Sequence, residues 1–333
     1  MTHPASRAAS SADTLAALPD WRSAGLRYFA LNYYLRGRFG GRVQKVSLDA
    51  GFTCPNVDGA VAVGGCVFCD NRSFSPSRRL KRVDLAAQLE RGMQLLRRRY
   101  ANVSRFLAYF QPATNTYAPV ELLRSLFTQP LDHPEVVGLV VGTRPDCVPN
   151  DVLDLLSELA VRTYVSVEYG MQTMHDRSLA WMNRGHGHAA FLDAVERSRG
   201  RGFEITAHVI LGLPGETRGD MLATARELAR LGIDAVKVHN LYAVHGTPLA
   251  DWVRSGEVTL LERDEYVETL VDFLELLPPS CLVERISGDA PPDYLVGPAW
   301  CLDKPALRAA VEAEFARRDT WQGRKAASGR ELL

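Results

Sequence analysis

No stretch of the chain approaches the roughly twenty consecutive apolar residues that a membrane-spanning helix needs, so no membrane span is expected. Residues 1–20 are rich in Ala and Ser but lack the apolar central block of a secretory signal. They read as a disordered leader, extended to residue 25 when the chain is divided. Net charge is missing too. The 39 basic and 39 acidic side chains cancel, which removes any global attraction to nucleic acid. Cysteine is scarce, at six residues, and three of the six fall between positions 54 and 69. That distribution argues against a disulfide framework and for a reducing, cytoplasmic compartment.

What is present is an ordinary globular mixture, 46% hydrophobic and 23% charged, long enough for one large domain or two smaller ones. The three clustered cysteines, Cys54, Cys66 and Cys69, organise it. They lie on a loop rich in Gly, Asp, Asn and Pro, after a strand-like alternation at residues 43–48 (VQKVSL) and before helix-forming residues from Asp84. Thiolates so arranged ligate iron or zinc. A structural zinc site closes with four ligands, whereas three leave one metal position open. The plain alternative is three buried thiols that hold nothing.

Strand and helix signals then alternate. Strands are expected at 103–110, 136–142 (VVGLVVG, apolar enough to be buried on both faces), 162–168, 203–211 and 234–241. Helices are expected at 119–127 behind Pro119, after Asn150 as cap, around 174–182 and 189–199, from Met221 to the stop at Gly232, and at 262–277. Residues 27–39 carry aromatics at helical spacing and should pack on the outer or bottom face. Six βα units argue a parallel sheet curled into a barrel or partial barrel, with the chemistry in the loops at the strands' C-terminal ends. The cysteine loop follows the first strand, which places the metal at the barrel mouth. Residues 26–277 read as the core and 278–333 as an extension covering it, in which Asp303 caps a helix.

The phrases KVSLDAGFTCPN, GGCVFC, YFQPATNTYAP, GTRPDCVP, GMQTMHDRSLAWMNRGH, AHVILGLPGET, VKVHNLY and ERISGDAP together resemble the radical S-adenosylmethionine (SAM) superfamily. Within it they are most similar to the bacterial YhcC-like family, related to the elongator-type branch. The first cysteine spacer is longer than the superfamily's commonest C-x3-C-x2-C, as it is in elongator-like branches. The resemblance implies a radical SAM partial (β/α)6 barrel with a short C-terminal extension. It implies that Cys54, Cys66 and Cys69 bind three irons of a 4Fe–4S cluster and that SAM occupies the fourth. Reductive cleavage of SAM would give methionine and a 5′-deoxyadenosyl radical.

By the same resemblance Phe68 lies beside the adenine. Gln172 and Arg184 match positions that contact ribose and the methionine carboxylate, and Val209, Ile210 and Gly212 form the strand segment whose backbone approaches adenine. Gln111 stands where relatives carry Gly-Gly-Glu, Gly142 where elongator-type proteins often have Glu, and His208 where several have an acidic residue. An electron donor of flavodoxin or ferredoxin type is implied. So is a tRNA substrate, modified on the C5 side chain of its wobble uridine. The 56 residues from 278 to 333 leave no room for elongator's acetyltransferase domain, so hydrogen abstraction from an existing side chain is expected. The alternatives are radical SAM chemistry on a small metabolite or protein, and a non-enzymatic zinc or Fe–S module.

Cys147, Cys281 and Cys301 read as buried thiols, with Cys147 pointing toward the mouth. His186 and His188 read as loop residues, and His239, Tyr242 and His245 as facing substrate. Basic clusters at 78–82, 97–99 and 317–325, with Tyr100, Tyr109 and Trp321 nearby, are candidates for RNA contact.

Overall fold

The computed structural model describes residues 20–79 and 84–326. Its centre is a sheet of seven parallel strands: β1 (Arg42–Leu48), β2 (Val103–Phe110), β3 (Val136–Thr143), β4 (Tyr164–Gln172), β5 (Glu204–Leu211), β6 (Ala235–Asn240) and, beyond a two-residue strand β7 (Ala243–Val244), β8 (Leu282–Arg285). Strands neighbour one another in chain order, all in parallel register. β7 pairs antiparallel with β9 (Leu295–Gly297) in a small second sheet. The six expected strands are present and the sheet is the curled half-barrel the resemblance implies. The seventh strand, β8, is four residues long, too short to show a period in the sequence.

Ten helices carry the argument: α1 (Leu31–Phe39), α2 (Leu85–Arg99), α3 (Val120–Thr128), α4 (Asn150–Arg162), α5 (Asp176–Trp181), α6 (His188–Ser198), α7 (Arg218–Leu231), α8 (Pro248–Ser255), α9 (Arg263–Leu276) and α10 (Lys304–Arg317). Their starts follow capping chemistry. Asp84 accepts from the Ala87 amide (2.8 Å), Asp303 from that of Ala306 (2.9 Å), and Thr217 forms a capping box with Asp220. Gly232 at φ 62° closes α7. Asn150 is not the cap of α4. Pro149 holds that position, and the Asn150 carboxamide oxygen instead accepts from Arg197 (3.4 Å).

Alternation along each strand sorts side chains into two cores. Outward residues such as Phe110, Val141, Val167, Tyr169, Val209 and Val238 are buried against the helices. Each fully buried large apolar side chain there is worth roughly 1.5–3 kcal/mol. Inward residues near the strand starts, among them Val43, Leu107, Val140, Tyr164, Ala235 and Leu282, meet Trp21, Phe29 and Tyr34 in an apolar plug. Helix α1 thus closes the bottom of the barrel, and Trp21, within the stretch read as leader, is buried in that plug. The sheet stays open between β1 and β8. That seam is crossed at the bottom by a bridge from Ala30 to Val283, and higher up by Lys45 Nζ on Glu284 Oε2 at 2.5 Å.

Candidate functional site

The eleven residues between Cys54 and Cys66 fold on themselves. The Val57 amide donates to the Cys54 carbonyl (2.7 Å), Val61 to Pro55 (2.9 Å) and Gly65 to Asn56 (2.8 Å). The loop is also tied to the segment following α5. The Val67 amide donates to the Met182 carbonyl (3.1 Å), and the Asn183 carboxamide donates to the carbonyls of Val63 (3.1 Å) and Gly65 (2.8 Å). Asn183 does this from a left-handed backbone, φ 55°, that Asn tolerates better than most side chains. Asn56, fully buried, donates back to the Asn183 carbonyl at 2.5 Å.

This places Cys54, Cys66 and Cys69 on the rim of one cavity of about 230 Å³ at the barrel mouth. Cys66 is buried, Cys54 half-buried and Cys69 open to solvent on one side. The Cys69 thiol is pushed up to about 12, first by desolvation among its protein neighbours and then by the nearby Cys66 and Cys54 thiols. Three thiols gathered on one cavity rim are a donor set for a multivalent cationic partner. Among the described residues, no three His, Cys, Asp or Glu side chains converge as they would on one ion. A cubane cluster gives each thiolate its own iron, so its ligands need no common focus. The donor set therefore suits a cluster better than a lone zinc ion.

Of the other sequence-predicted residues, Phe68, Gln111, Gln172, Arg184 and Ile210 line the same cavity. Gln172 does so at the end of β4 with φ 71°. Val209 does not, because neighbouring strand positions face opposite ways and its side chain enters the helix-side core. Gly212, at φ 88°, backs onto Leu261 instead of the cavity. Gly142 lines the wall, and its carbonyl accepts from the Asn115 carboxamide (2.7 Å).

Below the cysteines the cavity floor is charged, which no sequence motif marked. Glu168 of β4, with no exposed surface, accepts from Lys45 Nζ (2.9 Å), Tyr109 Oη (2.7 Å), His208 Nε2 (2.8 Å) and Lys237 Nζ. Burial opposes its charge, but Lys237 and Lys45 hold it well below the usual carboxylate range. Burial brings Lys237 down to about 8 against the pull of Glu168. His208 and His239 are both lowered, first by burial, and the ionised Glu168, which can only accept, takes its hydrogen bond from a proton on His208 Nε2. His239, Tyr242 and Arg285 complete the far wall. The recoverable signal was a charge inside an apolar parallel strand, as in YVSVEYGMQ and AVKVHN.

The remaining candidates scatter. Cys147 opens onto a separate groove of about 940 Å³ outside the cysteine loop, not onto the mouth. The turn Pro145–Cys147 sends Arg144 inward, where it pairs with Asp146 (2.7 Å) and donates to the Arg184 carbonyl (2.8 Å). Cys281 and Cys301 are buried. His188 pairs with Glu227 (3.2 Å), and His245 lies against Arg254. Arg97 pairs with Glu135, while Arg42 and Arg99 flank the Tyr100 ring at the strand-start end, remote from the mouth. Arg317 and Arg318 are held by Glu314 and Asp272. Tyr109 belongs to the floor. Lys81 and Arg82 lie outside the described residues.

The chain is similar to known proteins in both sequence and fold. The family described as "Radical SAM superfamily" matches residues 62–228, and "Radical_SAM C-terminal domain" matches residues 233–317. YtqA of Bacillus subtilis is 40% identical over 90% of this chain and 92% of its own length. YhcC of Escherichia coli is also 40% identical, over 80% of this chain and 85% of its own. A tRNA uridine(34) acetyltransferase of Dehalococcoides mccartyi is 28% identical over 48% of this chain and 35% of that protein. In fold, the structure of the archaeal Methanocaldococcus infernus Elp3 superposes with a TM-score of 0.64 at 17% identity, over 84% of this chain and 64% of that one. With its thiols, its half-barrel and these matches in agreement, the chain belongs to the radical SAM superfamily, in the YhcC-like family related to Elp3, and its cofactors are a 4Fe–4S cluster and SAM.

Proposed function

We propose that this enzyme reductively cleaves SAM at its cluster and uses the resulting radical on the C5 side chain of a tRNA wobble uridine. Cys54, Cys66 and Cys69 hold three irons. Phe68, Gln111, Gln172 and Ile210 flank the bound SAM. When bound, the cluster supplies the electron that breaks the sulfonium C–S bond. The observation that carries the reading is the make-up of the cavity, with the cysteines on one rim and a polar wall facing them. On that wall His239 Nε2 is buried without a hydrogen-bond partner, and no carboxylate pairs with Arg285 among the described residues. Free hydrogen-bonding groups of this kind suit a polar, nucleobase-like substrate.

The partial match to a tRNA uridine(34) acetyltransferase supports that substrate class. The electron donor is a flavodoxin or ferredoxin, and the compartment is the cytoplasm. Among the described residues no helix is long and apolar enough to cross a membrane.

Anaerobic reconstitution followed by dithionite reduction should yield 5′-deoxyadenosine. Cys54→Ala, Cys66→Ala and Cys69→Ala should each abolish it, and retained turnover in any one would remove that residue from the ligand set. Comparing modified nucleosides in tRNA from cells with and without the protein tests the substrate. An unchanged wobble position, with turnover of a metabolite or peptide, would shift the assignment to that class.

A further inference from the structure

Segment 182–185 does more than strap the cysteine loop. Arg184 leaves it and runs into the cavity wall, 8% exposed, with Nη2 donating to the Gly170 carbonyl (2.8 Å) and Nη1 lying 3.5 Å from Cys66 Sγ. Its corridor exists because residue 170 is glycine, since a Cβ there would stand 2.4 Å from Nη2. From the opposite side the Asn56 carboxamide lies 3.6 Å from the same sulfur. Both are within hydrogen-bonding reach of sulfur. Among the described residues no carboxylate pairs with Arg184, and its Nε is buried without an acceptor. A guanidinium taken out of water needs an anion. The thiolate of Cys66, 3.5 Å from Nη1, is such an anion.

We propose that Arg184 and Asn56 are positioning residues that donate hydrogen bonds to the Cys66 thiolate and so set the reduction potential of the cluster. The inference rests on the cluster assignment above. Adding one electron makes the cluster more negative, so N–H donors and a buried positive charge on a ligand sulfur favour the reduced form and raise its potential. The Asn183 carboxamide, by contrast, donates only to the loop carbonyls of Val63 and Gly65 and does not touch sulfur.

The test compares reconstituted wild type with Arg184→Met, Arg184→Lys, Asn56→Ala and Asn183→Gly, the last keeping the left-handed backbone while deleting both carboxamide bonds. A mediated dithionite titration without SAM, followed by EPR of the reduced cluster, reads the potential of whatever fraction is loaded. Equilibrium dialysis with labelled SAM reads cofactor affinity separately. For Arg184→Met the reduced-to-oxidised ratio at fixed potential should fall about tenfold, equivalent to ~59 mV for one electron. Asn56→Ala should give about a threefold fall, and Arg184→Lys should recover at least half of the Met effect. Asn183→Gly should load less iron, but its loaded fraction should titrate with wild type. An Arg184→Met cluster that titrates with wild type while SAM affinity falls would overturn the proposal and return Arg184 to the cofactor carboxylate. A shift of equal size in Asn183→Gly would reduce the effect to general loosening. Wild-type protein that takes up no iron would instead overturn the cluster assignment itself.

Discussion

Two glutamates on adjacent strands, both facing the barrel interior, are pushed in opposite directions. Glu168 on β4 sits in the floor beneath the mouth, ionised, with two ammonium groups, a phenol and an imidazole around it. Glu204 opens β5 in the plug at the bottom, bonded to the phenols of Tyr34 and Tyr164 (2.6 Å to the latter). Burial pushes the Glu204 carboxyl up to about 7, and two phenol donors only partly offset it. The register Ser166↔Glu204 and Glu168↔Thr206 separates the pair by one inward-facing level along the barrel. Glu168 is bonded directly to two ammonium groups, whereas Glu204 is bonded to two phenols and feels the Arg38 charge only as a smaller pull against burial.

Four substitutions probe this contrast, taken from the largest expected effect to the smallest. Glu168→Leu leaves Glu284 as the one carboxylate paired with both Lys237 and Lys45 among the described residues and should cost about 3–5 kcal/mol in urea unfolding. A cost below about 1 kcal/mol would mean the floor is hydrated and not an ionic cluster. Glu204 should contribute a pH dependence of the opposite character. Its folded value lies above the unfolded 4.5, so the stability it lends is full below pH 4.5 and is lost as pH rises to 7. The loss is roughly 3 kcal/mol, and Glu204→Gln should abolish it, leaving a variant more stable than wild type at pH 8. Equal pH profiles for the two proteins would show that Glu204 ionises normally.

Tyr164→Phe removes one phenol donor from Glu204 and should cost about 1 kcal/mol at pH 7, read as a lower urea midpoint with unchanged slope. Arg317→Ala breaks an exposed i,i+3 pair with Glu314 and should change stability by less than about 0.5 kcal/mol.

The unequal legibility of these regions has a physical origin. The cysteine loop, the six long strands and most helices were readable because spacing, caps and apolar runs are local. The contrast between Glu168 and Glu204 was not. Each lies in a similar strand-like string, and only the curl of the sheet brings Lys45 and Lys237 to one and Tyr34 to the other. The same limit explains Val209 beside Ile210: a one-residue difference in strand phase decides which side chain reaches the cavity, and the resemblance supplied a segment without its phase. Arg184 was legible as a site residue. That its guanidinium lies against Cys66 follows from a 118-residue separation that no motif encodes. Composition showed the basic runs but not their partners, such as Glu135 for Arg97 and Glu314 for Arg317.

The looped path from Cys54 to Cys66 bears on how such proteins are found. Its two ends are fixed by Asn183 and Asn56, while its outer turn carries Val57, Val61 and Val63 into solvent. Residues inserted or removed at that outer turn would lengthen or shorten a detour without relocating either sulfur, since closing a longer loop adds only about 0.6 kcal/mol per doubling. Counting residues between the first two cysteines therefore measures the excursion and not the destination. A search keyed to a fixed spacer will pass over chains like this one.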